Sequence, residues 1–201
     1  MSTQPRNTLT DRQLVEQVLG GDAKAFGVLV RDTEGLVAQI VCKLIPNKED
    51  RKDMAQDIYL KAFHHLKGFK FQSRLSTWVA QIAYNTCINW RQKKKLVLAT
   101  DLGGGTDEQG MDLSGHAGGM AASDTEGLVV NKQLSGILQV GINQLPPLYA
   151  TLVSLYHQEE LSYQEMAEIT GLPEGTVKSY LFRARKMLKE TLLSTYKKEA
   201  L

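Results

Sequence analysis

The chain has 201 residues, 42% hydrophobic and 23% charged, proportions that exclude a fibrous or low-complexity chain. Net charge is only +2 but unevenly spread: residues 1–95 carry 16 Lys and Arg against 9 acids, residues 96–130 carry 6 acids and no base, and residues 131–201 carry 8 bases against 7 acids. No apolar run approaches the ~18 residues needed to cross a bilayer, and the opening MSTQPRNTLTDRQ lacks the apolar core of a signal peptide, so a cytoplasmic protein is expected.

The first block reads as helical throughout. Thr10-Asp11 starts a helix that ends at Gly20-Gly21. Asp22 caps a second, with Phe26, Leu29, Val30, Leu36, Val37, Ile40, Val41 and Leu44 at helical spacing until Pro46. A third runs from Glu49 to Leu66, with Met54, Ile58, Ala62, Phe63 and Leu66 facing inward, and Gly68 closes it. Ser76 or Thr77 opens a fourth, which passes through Trp78, Ile82, Cys87, Ile88 and Trp90 to the basic run Arg91 to Lys95. Cys42 and Cys87 lie in apolar helical patterns and read as small buried residues, not a disulfide.

From Leu102 to Gly127 the chain is glycine-rich, acidic and without helical periodicity, the composition of a flexible tether. The expected division is a helical domain over 1–95, a linker over 96–130 and a second helical domain over 131–201. In the last, Asn131 to Gln144 and Pro147 to Tyr156 read as helices. Period-two alternation is missing beyond a few residues, so the fold class is all-α.

Leu161 to Lys189 reads as a helix-turn-helix. Ser162 with Glu165 three residues on is a capping box. Gly171 stands at the turn, where a residue without a Cβ takes positive φ. Val177 and Leu181 give the second helix a buried face. A short helix, a glycine turn and a longer helix at this spacing place a recognition helix in the DNA major groove. On that helix Glu174, Thr176, Lys178, Ser179, Arg183 and Arg185 face solvent.

The first block has its own nucleic-acid chemistry. Aromatic residues Phe69, Phe71, Trp78, Tyr84 and Trp90 interleave with Lys67, Lys70 and Arg74, a mixture suited to unpaired DNA because bases stack on rings while cations follow the backbone. Phe69 and Phe71, after Gly68, are the expected base contacts, while Trp78 reads as core. Asn85 can offer its amide to a base edge, and Arg91, Lys93, Lys94 and Lys95 suit phosphates or the negative end of the helix dipole. Enzyme readings find no support: His64 and His65 are adjacent and face different ways, no Cys/His set has zinc spacing, and the glycines at 103–105 lack a following Lys-Ser/Thr. No cofactor or metal is expected.

The segment KDMAQDIYLKAFHHL followed by FKFQSRLSTWVAQIAYNTCINWRQKKK resembles region two of bacterial sigma factors. LPPLYATLVSLYHQEELSYQEMAEITGLPEGTVKSYLFRARKML resembles their region four. The order, the short linker and the lack of a large N-terminal extension resemble the extracytoplasmic-function group. That resemblance implies a region-two bundle and a region-four helix-turn-helix, binding of core RNA polymerase through the beta-prime clamp helices and the beta flap, and promoter DNA as the second partner. It implies that Asp53, Gln56, Asp57, Leu60 and Lys61 dock on polymerase. It further implies that Lys67, Phe69, Lys70, Phe71, Arg74, Asn85, Arg91, Lys93, Lys94 and Lys95 serve the minus-ten element, and the helix-turn-helix the minus-thirty-five element. An anti-sigma factor, often membrane-anchored, is an implied further partner. The competing reading is a stand-alone helix-turn-helix regulator, which leaves the aromatic-basic loop unexplained.

Overall fold

The computed structural model describes residues 10–101 and 136–199, with side chains over 10–95 and 136–194. Most of the expected tether, with His116, and the expected helix start at 131–135 lie outside the described residues. Every regular element among the described residues is helical.

Local chemistry sets most helix starts. Helix α1 (Asp11–Leu19) is opened by a capping box between Thr10 and Gln13, and the chain turns at Gly21 with φ +91°. Asp22 accepts hydrogen bonds from the Lys24 and Ala25 amides and starts α2 (Ala23–Leu44), whose stripe Ala25, Leu29, Leu36, Val37, Ile40, Val41 and Leu44 is buried. Asn47 caps α3 (Lys48–His65), which buries Met54, Ile58 and Ala62 and closes in a 3₁₀ turn over Leu66–Gly68. Helix α4 (Leu75–Asp101) begins just before the expected Ser76 and continues past Lys95. Its start is fixed from outside: Asp11 Oδ2 accepts the Leu75 N–H at 2.8 Å.

Helix α5 covers 136–144, α6 is Pro147–His157, α7 Tyr163–Thr170 and α8 Glu174–Glu199. Gly141 faces α8 so closely that a Cβ there would come within 2.7 Å of Leu188 Cδ1. The long α2 packs against α1, α3, α4 and α6. Almost all of α6 is buried, and α7 lies on α4, so the second helical group shares a continuous apolar core with the first. Two polar links among the described residues join the groups: Lys43 Nζ donates to Asn143 Oδ1 at 2.7 Å, and Arg74 pairs with Glu165. Burial at its site lowers the Lys43 pKa.

Two inward assignments are corrected. Phe63 is 48% exposed, meeting Phe26 only edge-on at 5.3 Å, because α3 buries the narrower stripe through Ile58 and Ala62. Cys42 is exposed, since neighbouring Val41 takes the core position; Cys87 is buried, and burial pushes its thiol up to about 12. Among the described residues no helix is long and apolar enough to cross a membrane.

Candidate nucleic-acid interface

The outer face of α3 carries one constellation. Burying Met54, Ile58 and Ala62 turns Asp53, Gln56, Asp57, Leu60 and Lys61 to solvent, spaced over two helical turns. Leu60 is 57% exposed in the middle of this charged strip, an apolar contact available to a partner. Lys61 Nζ lies 3.4 Å from Thr86 Oγ1 on α4.

The loop between the 3₁₀ turn and α4 carries the second. Its two phenylalanines have opposite environments. Phe69 is 7% exposed, its ring 5.2 Å from Trp78 and 4.7 Å from Phe71, so it anchors the loop and its expected base contact is not available as the loop stands. Phe71 is 43% exposed and adopts φ +56°, a left-handed backbone that a bulky side chain rarely takes. Such outliers concentrate at sites where the surroundings over-determine the backbone. Lys67, Lys70 and Arg74 are exposed around it, and Asn85 is exposed on α4.

The basic end of α4 divides. Arg91 donates from Nη1 to the Leu44 carbonyl at 2.9 Å, which ties α4 to the end of α2, and burial lowers its pKa. Lys94 lies 4.5 Å over the Trp90 ring and 3.4 Å from Asp50 Oδ2. Lys93 and Lys95 are exposed. Buried Tyr84 belongs to the core and not to the aromatic surface, its hydroxyl without a hydrogen-bond partner among the described residues.

The helix-turn-helix carries the third constellation. Ser162 and Glu165 form the expected capping box, with the Ser162 amide donating to Glu165 Oε2 at 2.9 Å. This hydrogen bond is the main reason that the Glu165 carboxyl sits below its ordinary range. Gly171 closes α7 at φ +71°. Val177, Leu181 and Ala184 bury one stripe of α8, which leaves Glu174, Lys178, Ser179, Arg183 and Arg185 exposed and Thr176 half-buried. Lys178 Nζ pairs with Glu174 at 2.7 Å, a hydrogen bond that raises the Lys178 pKa. The Arg183 and Arg185 guanidiniums lie 6.0 Å over Tyr180 and 5.0 Å over Tyr156. Arg185 also approaches the His157 ring, whose pKa is lowered first by burial and then by that charge.

One residue passed over in the sequence stands out here. Phe182 is 70% exposed, one turn beyond Lys178 and Ser179 and beside Arg183. An aromatic ring off the buried stripe of a recognition helix has the chemistry to meet a thymine methyl in the major groove.

Residues 29–97 match the family model for sigma-70 region 2, and residues 135–188 that for sigma-70 region 4. An ECF RNA polymerase sigma-E factor from Haemophilus influenzae is 32% identical over 190 residues, covering 92% of this chain and 96% of its own. The protein of the same description from Escherichia coli K12 is 34% identical over 183 residues, covering 90% and 93%. Among solved structures, the sigma factor RpoE from Bartonella quintana, crystallised with the anti-sigma factor NepR, aligns at TM-score 0.63 and 22% identity over 86% of this chain and 98% of that one. CnrH, solved with the cytosolic domain of CnrY, aligns at TM-score 0.60 and 22% identity over 92% of this chain and 97% of that one.

Proposed function

From the premise that the chain belongs to the extracytoplasmic-function sigma factors of the sigma-70 family, we propose how its residues divide the work of promoter selection. The protein is a transcription initiation factor that binds core RNA polymerase and promoter DNA. Its regions two and four, in that order on one chain, carry this conclusion over the reading as a stand-alone regulator. Bond making belongs to polymerase, and this chain contributes recognition and strand separation in the cytoplasm where polymerase works.

The α3 strip Asp53, Gln56, Asp57, Leu60 and Lys61 docks on the polymerase clamp, with Leu60 as its apolar centre. The loop from Lys67 to Arg74, with Asn85, reads the unpaired minus-ten strand. Phe71 is the stacking ring, and Lys67, Lys70, Lys93 and Lys95 follow phosphates. Extruding a base costs a few kcal/mol, and stacking on an aromatic ring returns about 1–3 kcal/mol per base. Helix α8 reads the minus-thirty-five element through Lys178, Ser179, Phe182 and Arg183.

The packed form cannot do both at once. Arg74 and Glu165 are 3.3 Å apart, whereas elements about 25 base pairs apart lie roughly 85 Å apart along duplex DNA. The groups must therefore separate on polymerase. Residues 102–135, at ~3.4 Å each, can reach about 115 Å, enough for that span. The packed form is the one an anti-sigma factor would hold, and such a partner is the regulator we assign to this chain.

The test is transcription in vitro with core polymerase, this chain and a promoter library. Start sites that depend on the chain are expected; their absence would sink the assignment. Fluorescence transfer between labels on α3 and α8 should fall when core polymerase and promoter are added.

A further inference from the structure

We infer that Arg12 is a positioning residue for the minus-ten loop, an inference that rests on reading Phe71 as the stacking ring. Asp11 and Arg12, adjacent at the start of α1, hold the two sides of that loop. Asp11 Oδ2 accepts the Leu75 N–H at 2.8 Å, where the loop enters α4. The Arg12 guanidinium lies 5.6 Å over the Phe71 ring, at the loop's exposed apex.

Phe71 needs such support. Its backbone is left-handed, a conformation disfavoured for a residue with a Cβ, and its ring is 43% exposed, tilted against Phe69 at 4.7 Å. An unheld ring would sample several rotamers and would lose entropy on stacking a base. Among the described residues Arg12 has no ion pair or hydrogen bond, and the ring is its contact. A guanidinium over an aromatic face is attractive, and both planes suit a third planar group, an unpaired nucleobase. Helix α1, outside both family-model matches, thereby joins the base-capturing site.

The experiment uses holoenzyme assembled from core polymerase and full chain on a duplex promoter recovered from the library. Permanganate reactivity of thymines in the minus-ten region reports open-complex formation. Arg12→Ala should lower the opening rate about three- to fivefold, the scale of an exposed cation–π contact, and Arg12→Lys should recover most of it. In a Phe71→Ala background, Arg12→Ala should cost nothing further, because Arg12 acts through that ring. Melting temperature and core affinity should stay at wild-type values. A wild-type opening rate for Arg12→Ala beside an impaired Phe71→Ala overturns the role of Arg12 alone. So does an additive loss in the double variant, or a melting-temperature drop that accounts for the defect. An unimpaired Phe71→Ala overturns the reading of the loop itself.

Discussion

Arg74, the last residue before α4, places Nη1 3.3 Å from Oε1 of Glu165, the carboxylate that completes the capping box of α7. One ion pair thus ties the loop proposed to read the minus-ten strand to the first helix of the helix-turn-helix. The pair is weak, because Arg74 remains 76% exposed and solvent screens it. The apolar contacts of α6 on α2 and α7 on α4 hold the groups together, and the ion pair adds a polar link at their edge.

Glu165→Gln separates these roles, since glutamine also completes a capping box. The variant should lose less than about 1 kcal/mol at pH 7 and should bind promoter on polymerase at least as well as wild type. The Glu165 carboxyl is lowered, first by its hydrogen bond from the Ser162 backbone. Its contribution is therefore present above the unfolded value of about 4.3 and lost as pH falls through the lower folded value. Melting curves of the two proteins should converge on acidification below pH ~4; parallel curves would contradict this account.

Tyr84 gives a second handle on the packed form. It is buried on α4 near enough to Tyr180 of α8 for their charges to interact, and burial, then Tyr180, pushes its phenol up to about 12. Its hydroxyl has no partner among the described residues, and a buried donor left unmade costs about 1–3 kcal/mol. Tyr84→Phe should raise the melting temperature of the free chain and weaken its assembly with core polymerase, because it favours the packed form. A raised folded value means stability that is complete below pH ~10 and falls as pH climbs from there towards 12; the phenylalanine variant should lack that part of the alkaline loss.

Features set by neighbouring residues were legible without coordinates. Asp22, the Ser162–Glu165 box and Gly171 each act within a few residues, and each stands where its chemistry predicts. Contacts distant in the chain were not. Phe69 and Phe71 read alike as letters; Trp78 and a left-handed backbone at Phe71 decide which ring is buried. The hydrogen bond from Arg91 to the Leu44 carbonyl, 47 residues away, had no signal in the sequence. The all-round apolar character of α6 was a signal left unused, since a helix without a polar face needs cover on more than one side, and α2 supplies it.

Phe182→Ala tests the recognition helix. The ring is exposed, so the change should move stability by less than about 0.5 kcal/mol. Losing an apolar contact with a base should weaken use of the minus-thirty-five element by about 1 kcal/mol, roughly fivefold, with core affinity unchanged. Transcription from promoters with and without thymine at successive upstream positions measures this, and equal losses on all of them would reassign the ring to a protein partner.

Asp11 tests whether α1 fixes the entry to α4. The amide at Leu75 heads a long helix whose first-turn donors lack intrahelical acceptors, and the Asp11 carboxylate meets that amide from 64 residues away. Removing the acceptor should resemble removing an N-cap, a loss of about 1 kcal/mol. Asp11→Ala should therefore melt earlier than wild type and exchange the Leu75 amide hydrogen faster. Asp11→Asn, which keeps a side-chain oxygen but not its charge, should fall between the two because it retains the hydrogen bond and loses the favourable charge at the helix N-terminus. Exchange at Leu75 that is the same in all three proteins would show that α4 starts without help from α1, and would remove one of the two ties by which α1 holds the loop.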